Sequence, residues 1–199
     1  ARYGDEPVPF GLTTQNSAEV EIEHSNPAIL ASAFDFTRLI FRGEMRINTY
    51  SDRLLFPPAL NLKLTAGISS GTLPPQRIFA LESRYDGVGP MGVLRGGEVK
   101  EFTGHRFVAL TAEHNFRSTP FLILNIPYLY KNSIELILHG TVAQTWSSSP
   151  LPFGATTNGW YSEAGVGISR ILSFLRFDFT YRFAQPRGLF VTLGVAQII

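Results

Sequence analysis

Polar and apolar residues alternate strictly along the C-terminal third of the chain. In residues 175–183, LRFDFTYRF, every second residue is apolar and mostly aromatic, and the residues between are charged or hydroxylic. A period of two predicts a β-strand with one apolar face and one polar face. The polar face mixes both signs of charge, as in Arg176 and Asp178. Repeated along a chain, this pattern is typical of a barrel wall with lipid outside and a polar lumen inside.

The same alternation predicts nine strands. Several reach the length of about 9–11 residues that a tilted strand needs to cross a bilayer. The predicted segments are residues 17–24, 36–50, 60–68, 77–86, 107–116, 133–146, 160–171, 175–183 and 189–199. Residues 1–14 are predicted to be a lead-in. Residues 121–130, FLILNIPYLY, interrupt the alternation and predict a compact apolar insert at a membrane interface or against the barrel end.

The connections between these strands differ in length. Residues 51–56 and 184–188 predict tight turns, whereas residues 86–105 and 147–159 are long and rich in Gly, Pro and Ser. Short turns on one rim and long loops on the other are typical of outer-membrane barrels.

We therefore predict an all-β fold, an antiparallel transmembrane β-barrel with about eight or nine strands in this chain and one domain over residues 1–199. Single-chain bacterial barrels have even strand numbers, so an odd number indicates a wrongly assigned strand or the C-terminal part of a larger barrel. The alternative is a soluble β-sandwich or lipocalin-like barrel with its aromatic face turned inward. Alternation alone does not say which face is inside.

Composition narrows the classes of function. The chain has no cysteine, which excludes disulfides and thiolate metal sites. Its 17 basic and 16 acidic residues nearly cancel, which argues against a nucleic-acid interface. The mean hydropathy of +0.07 is too low for a helical membrane bundle. Ala1 opens no signal sequence, so we expect the chain to begin after processing or inside a longer protein.

The most specific signal lies in the 86–105 loop. Its glycines in GVGPMG have the spacing of a dinucleotide fingerprint, but Pro90 prevents the helix that this fingerprint needs. Residues 93–96, VLRG, resemble the VRGF- or LRGY-type tetrapeptide of the bacterial surface-antigen superfamily. That superfamily comprises the BamA-like outer-membrane insertases and the two-partner-secretion translocators. The resemblance extends over about residues 90–199, although Gly97 and Thr141 stand where the family has an aromatic residue and an aspartate.

The resemblance implies that the loop folds back into the lumen and that its arginine bonds to acidic residues on neighbouring strands. A guanidinium in a polar lumen needs carboxylate partners and suits bidentate pairing. The alternative is a solvated loop arginine, with the lumen carboxylates paired to Arg176 and Arg182. The residues expected to lock the loop are Arg95, Gly96, Glu163 and Asp178.

The function implied by the resemblance is outer-membrane protein insertion and assembly, or polypeptide translocation, in the bacterial outer membrane. We expect no enzymatic activity and no cofactor. In the family, a weak seam between the first and last strands pairs with an incoming strand by β-augmentation. Here the closing strand is residues 189–199, and Gly194 lowers its stability. The expected partners are outer-membrane lipids or lipopolysaccharide, client polypeptides and other envelope proteins, but no nucleic acid.

Two other classes stay open. One is a small, closed, eight-stranded barrel that serves as a structural anchor or adhesin; the other is an outer-membrane lipid-processing enzyme. For the enzyme, His114 and Ser118 are the candidate dyad, although an interfacial histidine is the simpler interpretation. Glutamates at positions 19, 21 and 23 are not expected to bind a cation, because alternate positions along a strand lie about 7 Å apart, too far to share one ion. We expect this face to be solvated or paired with Arg42 and Arg46.

Overall fold

The computed structural model describes residues 2–4, 16–27, 33–50, 56–84 and 94–195. Its strands, in chain order, are β1 (Arg2–Gly4), β2 (Ser17–Ser25), β3 (Phe36–Asn48), β4 (Ala59–Gly71), β5 (Phe79–Ala80), β6 (Thr103–Gly104), β7 (Arg106–Asn115), β8 (Glu135–Trp146), β9 (Tyr161–Ile171), β10 (Leu175–Arg182) and β11 (Gly188–Val195). There are also two short helices, α1 (Thr119–Ile123) and α2 (Pro127–Lys131), and a 3-10 helix over Pro75–Arg77.

Eight long strands form one antiparallel sheet in the order β2-β3-β4-β7-β8-β9-β10-β11, and we call them the wall. Each wall strand pairs with the next one along the chain, so the topology is a meander. The three-residue β1 pairs with β2 at the edge of this sheet. Within the described residues no pairing joins β1 to β11, so the sheet has two edges and is not closed into a ring.

The wall connections alternate between two rims because neighbouring strands are antiparallel. The connections β2–β3, β4–β7, β8–β9 and β10–β11 begin and end at one rim, the loop rim; the connections β3–β4, β7–β8 and β9–β10 begin and end at the other, the hairpin rim. The prediction that the tight turns gather on one rim is wrong. The short 183–187 connection shares its rim with the long loops, whereas 116–134 lies at the opposite end.

The wall buries its polar face and exposes its apolar face. In β10, Asp178 is 0% and Arg182 2% exposed, whereas Phe179 is 46% and Tyr181 43% exposed. All eight wall strands carry large exposed apolar residues, among them Ile22, Leu39, Leu64, Leu110, Leu138, Val166, Phe179 and Leu193. Monomeric soluble proteins rarely expose so large a contiguous apolar surface. The aromatic face of β10 is therefore outside, contrary to the lipocalin-like alternative.

The segment predicted as a strand over residues 77–86 does not join the wall. The chain instead forms the 3-10 helix, the two-residue β5 and an isolated bridge from Ser83 to Leu94. Pro74 and Pro75, just before this segment, have no N–H group to donate to a neighbouring strand, which disfavours strand pairing at its start. Phe79 then packs into a core cluster on the inner side of the sheet. Residues 85 and 86 lie outside the described part of the chain.

Other predicted boundaries shift by a few residues. The lead-in prediction for residues 1–14 is wrong for Arg2–Gly4, which pairs with β2. The closing strand is described from Gly188 to Val195, so residues 196–199 of the prediction lie outside the described chain. The apolar insert at 121–130 forms a hairpin of α1 and α2 on the hairpin rim.

Candidate functional site

A short turn of chain, residues 94–97, lies against the inner face of the wall. Its backbone is held by Leu94, whose N–H donates to the Glu82 carbonyl at 2.8 Å and whose carbonyl accepts from the Arg84 N–H at 2.9 Å. The Leu94 side chain is 3% exposed and joins the apolar core cluster. Arg95 follows directly and is 0% exposed, surrounded by the polar face of the wall.

The Arg95 side chain contacts two carboxylates. Its Nη2 donates to Glu113 Oε1 at 2.6 Å, and its Nε lies 3.1 Å from Asp178 Oδ2. Burial disfavours the charge of Arg95, but Glu113 and Asp178 outweigh this effect and raise the pKa of Arg95 above its usual value. The side chain therefore stays charged inside the fold.

The same two carboxylates also bind Arg176 of β10. Its Nη1 donates to Glu113 Oε2 at 2.9 Å, while its Nε and Nη2 donate to Asp178 Oδ1 at 2.9 and 2.8 Å. Two guanidinium groups and two carboxylates thus alternate in a neutral, four-membered cluster. We call Arg95, Glu113, Arg176 and Asp178 the loop lock.

Glu163 of β9 binds the turn through its backbone. Its Oε1 accepts from the Arg95 N–H at 2.9 Å and its Oε2 from the Gly96 N–H at 2.8 Å. The Tyr161 hydroxyl donates to the same Oε2 at 2.6 Å. A Cβ at Gly96 would stand 3.1 Å from Glu163, Tyr161 and Arg182, so glycine permits this close approach.

Arg182 covers the turn on the side of the loop rim. Its Nη1 donates to the Gly96 carbonyl at 2.9 Å, and its Nη2 donates to Glu101 Oε1 at 2.6 Å. Its guanidinium lies 5.2 Å from the ring centroids of Phe102 and Tyr161. The turn is therefore bound from β7, β9 and β10 and covered by its own chain.

The structure brings together four of the five residues singled out in the sequence. Arg95, Gly96, Glu163 and Asp178 form one connected network, whereas Gly194 lies in β11 opposite Arg176. Sequence reasoning missed Glu113 as a partner of Arg95. Its signal was present, since Glu113 lies on the polar face of a predicted strand, but alternation does not identify which polar residue meets the loop. The alternative of a solvated Arg95 is wrong, because Arg95 is 0% exposed. The pairing of Arg176 that went with this alternative is nevertheless present, because Asp178 binds both Arg95 and Arg176.

The other candidate residues are engaged elsewhere. His114 Nε2 lies 3.0 Å from Thr49 Oγ1, and the Ser118 hydroxyl donates to the Ile134 carbonyl at 2.8 Å. Neither contact places a serine against a histidine base. His139 Nε2 lies 3.6 Å from Asp178 Oδ1, at the margin of the loop lock. Within the described residues, no group of three or more His, Asp or Glu side chains is arranged to hold a metal ion.

The glutamates of β2 face arginines of β3, and we call this group the β2–β3 ladder. Arg42 lies 2.9 Å from Glu21 and 3.8 Å from Glu19, and Arg38 lies 3.6 Å from Glu23. The pairing expected of Arg42 is present, whereas Arg38 and not Arg46 is the second arginine of β3 that pairs with these glutamates.

No protein-family model and no curated protein matches this chain, so these comparisons identify no family. Among the described residues, no helix is long and apolar enough to cross a membrane.

Proposed function

We propose that this chain is part of the wall of a bacterial outer-membrane β-barrel of the surface-antigen type, with its 86–105 loop anchored inside the lumen. The proposed role is insertion and assembly of outer-membrane proteins, or translocation of polypeptides. The observation that carries the proposal is the inverted burial of the wall, with charged side chains inside and aromatic side chains outside. The proposed partners are outer-membrane lipids and lipopolysaccharide, client polypeptides and other envelope proteins.

The exposed apolar face supports a lipid environment. Val166 at 39% and Phe179 at 46% exposure face outward from the middle of neighbouring strands. In water, this surface would drive association; against acyl chains it is solvated. The wall strands are eight to 13 residues long, which suits a tilted crossing of a bilayer.

The occupied interior supports a larger barrel. A closed eight-stranded barrel has an interior just wide enough for its own side chains. Here the inner face also holds β5, β6 and the turn over residues 94–97. The sheet ends at β1 and β11 without closing, as expected of one portion of a larger wall. An edge at β11 presents unpaired backbone groups to an incoming strand, which is the seam proposed around Gly194.

One observation favours the alternative of a small anchor or adhesin. The interior is filled by ion pairs, with Arg95 and Asp178 both 0% exposed. A filled interior leaves no open path for a polypeptide, so it suits an anchor or adhesin. Cysteine pairs placed in β2 and β11 distinguish the two: efficient intramolecular crosslinking in a purified monomer supports a closed anchor, and its absence supports the larger wall.

The proposal is tested by Arg95→Ala in the reconstituted chain. The loop loses its side-chain anchor, so we expect faster chymotrypsin cleavage at Phe102, which is 8% exposed in the native fold. Insertion or translocation activity should fall while the β-sheet circular dichroism is retained. A matched control is Arg42→Ala, which removes a half-exposed arginine of the β2–β3 ladder and should leave cleavage unchanged. Native activity in Arg95→Ala together with a released loop would overturn the proposal.

A further inference from the structure

The connection between β7 and β8 is a helical hairpin with an exposed apolar surface. Residues 118–130 contain no charged side chain. Leu122 is 60%, Ile123 78%, Leu124 67% and Tyr128 74% exposed. Each helix has five residues, about 7.5 Å at 1.5 Å per residue, which is far too short to cross a bilayer. The exposed fractions show that no other part of the described chain covers this apolar surface.

Several backbone groups of the hairpin are hydrogen-bonded within the hairpin. The N–H groups of Leu122, Leu124 and Ile126 donate to the carbonyls of Ser118, Pro120 and Phe121 at 2.9 to 3.0 Å. In the second half, the Ile134 N–H donates to the Leu129 carbonyl at 3.0 Å. Pro120 and Pro127 open the two helices at positions where an N–H would lack a helical partner. A hydrocarbon boundary tolerates only backbone groups that are satisfied internally.

The charges around the hairpin fit an anionic surface. Arg117 and Lys131 flank it, and Arg170 lies near the end of β9 on the same rim. The acid beside them is Glu135, which is 5% exposed and pairs with both Arg117 Nη1 at 2.9 Å and Arg170 Nη1 at 3.7 Å. These three basic side chains outnumber the one carboxylate, and the exposed Lys131 presents positive charge beside the apolar residues.

The hairpin joins the wall at the end of the β7–β8 ladder, next to apolar residues of the outer face. The β7–β8 ladder extends to Phe116, whose N–H donates to the Leu136 carbonyl at 2.9 Å. Leu138, 43% exposed, lies two residues further along the outer face of β8. The hairpin rim lies opposite the longest connection, and long loops of outer-membrane barrels face outside. In the proposed barrel, with that connection outside, the hairpin rim faces the inner leaflet, which consists of phospholipid.

We propose that the 118–131 hairpin is an interfacial anchor that lies in the headgroup region of anionic glycerophospholipid, with Ile123 and Leu124 in the acyl boundary. Amphipathic segments of this kind bury their apolar side about 5–10 Å below the headgroups. Tyr128 and Lys131 lie at the polar side, as aromatic and basic residues do at membrane interfaces. The inference rests on the proposed outer-membrane location.

Single-cysteine labelling tests the anchor, because the native chain has no cysteine. An environment-sensitive fluorophore is placed at Ile123→Cys, Leu124→Cys, the wall position Val166→Cys and the loop-rim position Ser148→Cys. The chain is reconstituted into vesicles of phosphatidylethanolamine and phosphatidylglycerol that contain nitroxide-labelled phospholipid. At Ile123 and Leu124 we expect stronger quenching by a nitroxide near the headgroup than by one near the acyl terminus. At Val166 the deeper nitroxide should quench more, and at Ser148 both should quench little.

The outcomes separate the anchor from the proposed function. If Val166 reports hydrocarbon while Ile123 and Leu124 report water, the anchor is overturned and the membrane wall stands. If Val166 also reports water, the proposed outer-membrane function fails. Shielding of Ile123 from aqueous iodide without nitroxide quenching would identify a protein surface and would also overturn the anchor.

Discussion

Two groups of ion pairs lie on the inner face of the wall. Both are built from arginines and carboxylates, and they differ in what covers them. The β2–β3 ladder pairs Arg38 and Arg42 with glutamates at 2.9 to 3.9 Å, with side chains 16 to 44% exposed. In the loop lock, the pairs of Arg95 and Arg176 lie at 2.6 to 3.1 Å, and every side chain is 0 to 4% exposed.

The difference comes from the turn over residues 94–97. It covers the inner face of β7, β9 and β10, while a cavity of about 110 Å³ remains beside Arg38 and Arg42 of the ladder. Exposed ion pairs contribute little because water solvates the separated charges nearly as well. In a buried pair, loss of either partner leaves an unpaired charge in the interior, which is strongly destabilising. The alternating pattern of the strands therefore supplies the charged side chains. The loop buries some of them, and only these buried pairs are expected to contribute strongly to stability.

The largest expected effect is that of Asp178→Ala. It leaves Arg95 and Arg176 with only Glu113 between them, so an uncompensated positive charge is buried. We expect the free energy of unfolding to fall by about 3–5 kcal/mol, measured by urea titration of the refolded chain in detergent micelles. Glu21→Ala in the ladder is the matched control, with an expected loss of about 0–1 kcal/mol. Equal losses in the two variants would remove the distinction between the regions.

Much of this site was predictable from the sequence. Strict alternation in residues 175–183 predicts the strand and places Arg176 and Asp178 on one face. The resemblance of residues 93–96 singled out Arg95, and the structure brings it to Asp178. These inferences succeed because a period of two is a local property and because a buried arginine needs an acid.

The remaining features depend on tertiary contacts. The sharing of Glu113 between two arginines requires the register of β7 against β10, across two intervening strands. The 77–86 segment alternates only weakly, although it is predicted as a strand. In the structure, prolines precede it and its apolar residues Phe79 and Leu81 pack into the core cluster instead of pairing with the wall. A sequence pattern shows which residues share a face, and it does not show which surface will cover that face.

An intermediate effect is expected for Gly96→Val. The new side chain would meet Glu163, Tyr161 and Arg182 from a Cβ only 3.1 Å away, so the turn has to move off the lock. We expect a loss of about 1–3 kcal/mol from overpacking, with faster proteolysis of the loop in the same preparation. Gly140→Ala is the control, because its Cβ would stand at ordinary contact, 3.4 Å from the Glu163 carbonyl oxygen. A neutral Gly96→Val variant would show that the close approach is dispensable.

The smallest effect is expected for Tyr161→Phe, which removes one hydroxyl from the loop-lock half of the inner face. The Glu163 carboxylate loses a 2.6 Å bond but keeps the N–H groups of Arg95 and Gly96. The ring stays against Phe102, at a centroid distance of 5.2 Å, so packing is retained. We expect a loss of about 0.5–1.5 kcal/mol, the net value of one hydrogen bond. Thr37→Val is the exposed comparison, at the loop-rim end of β3 on its outer face, since its hydroxyl bonds to His24 at 3.0 Å in an exposed position. Water replaces that exposed bond, whereas it does not reach Glu163, so a loss in Thr37→Val as large as in Tyr161→Phe would contradict the role assigned to burial.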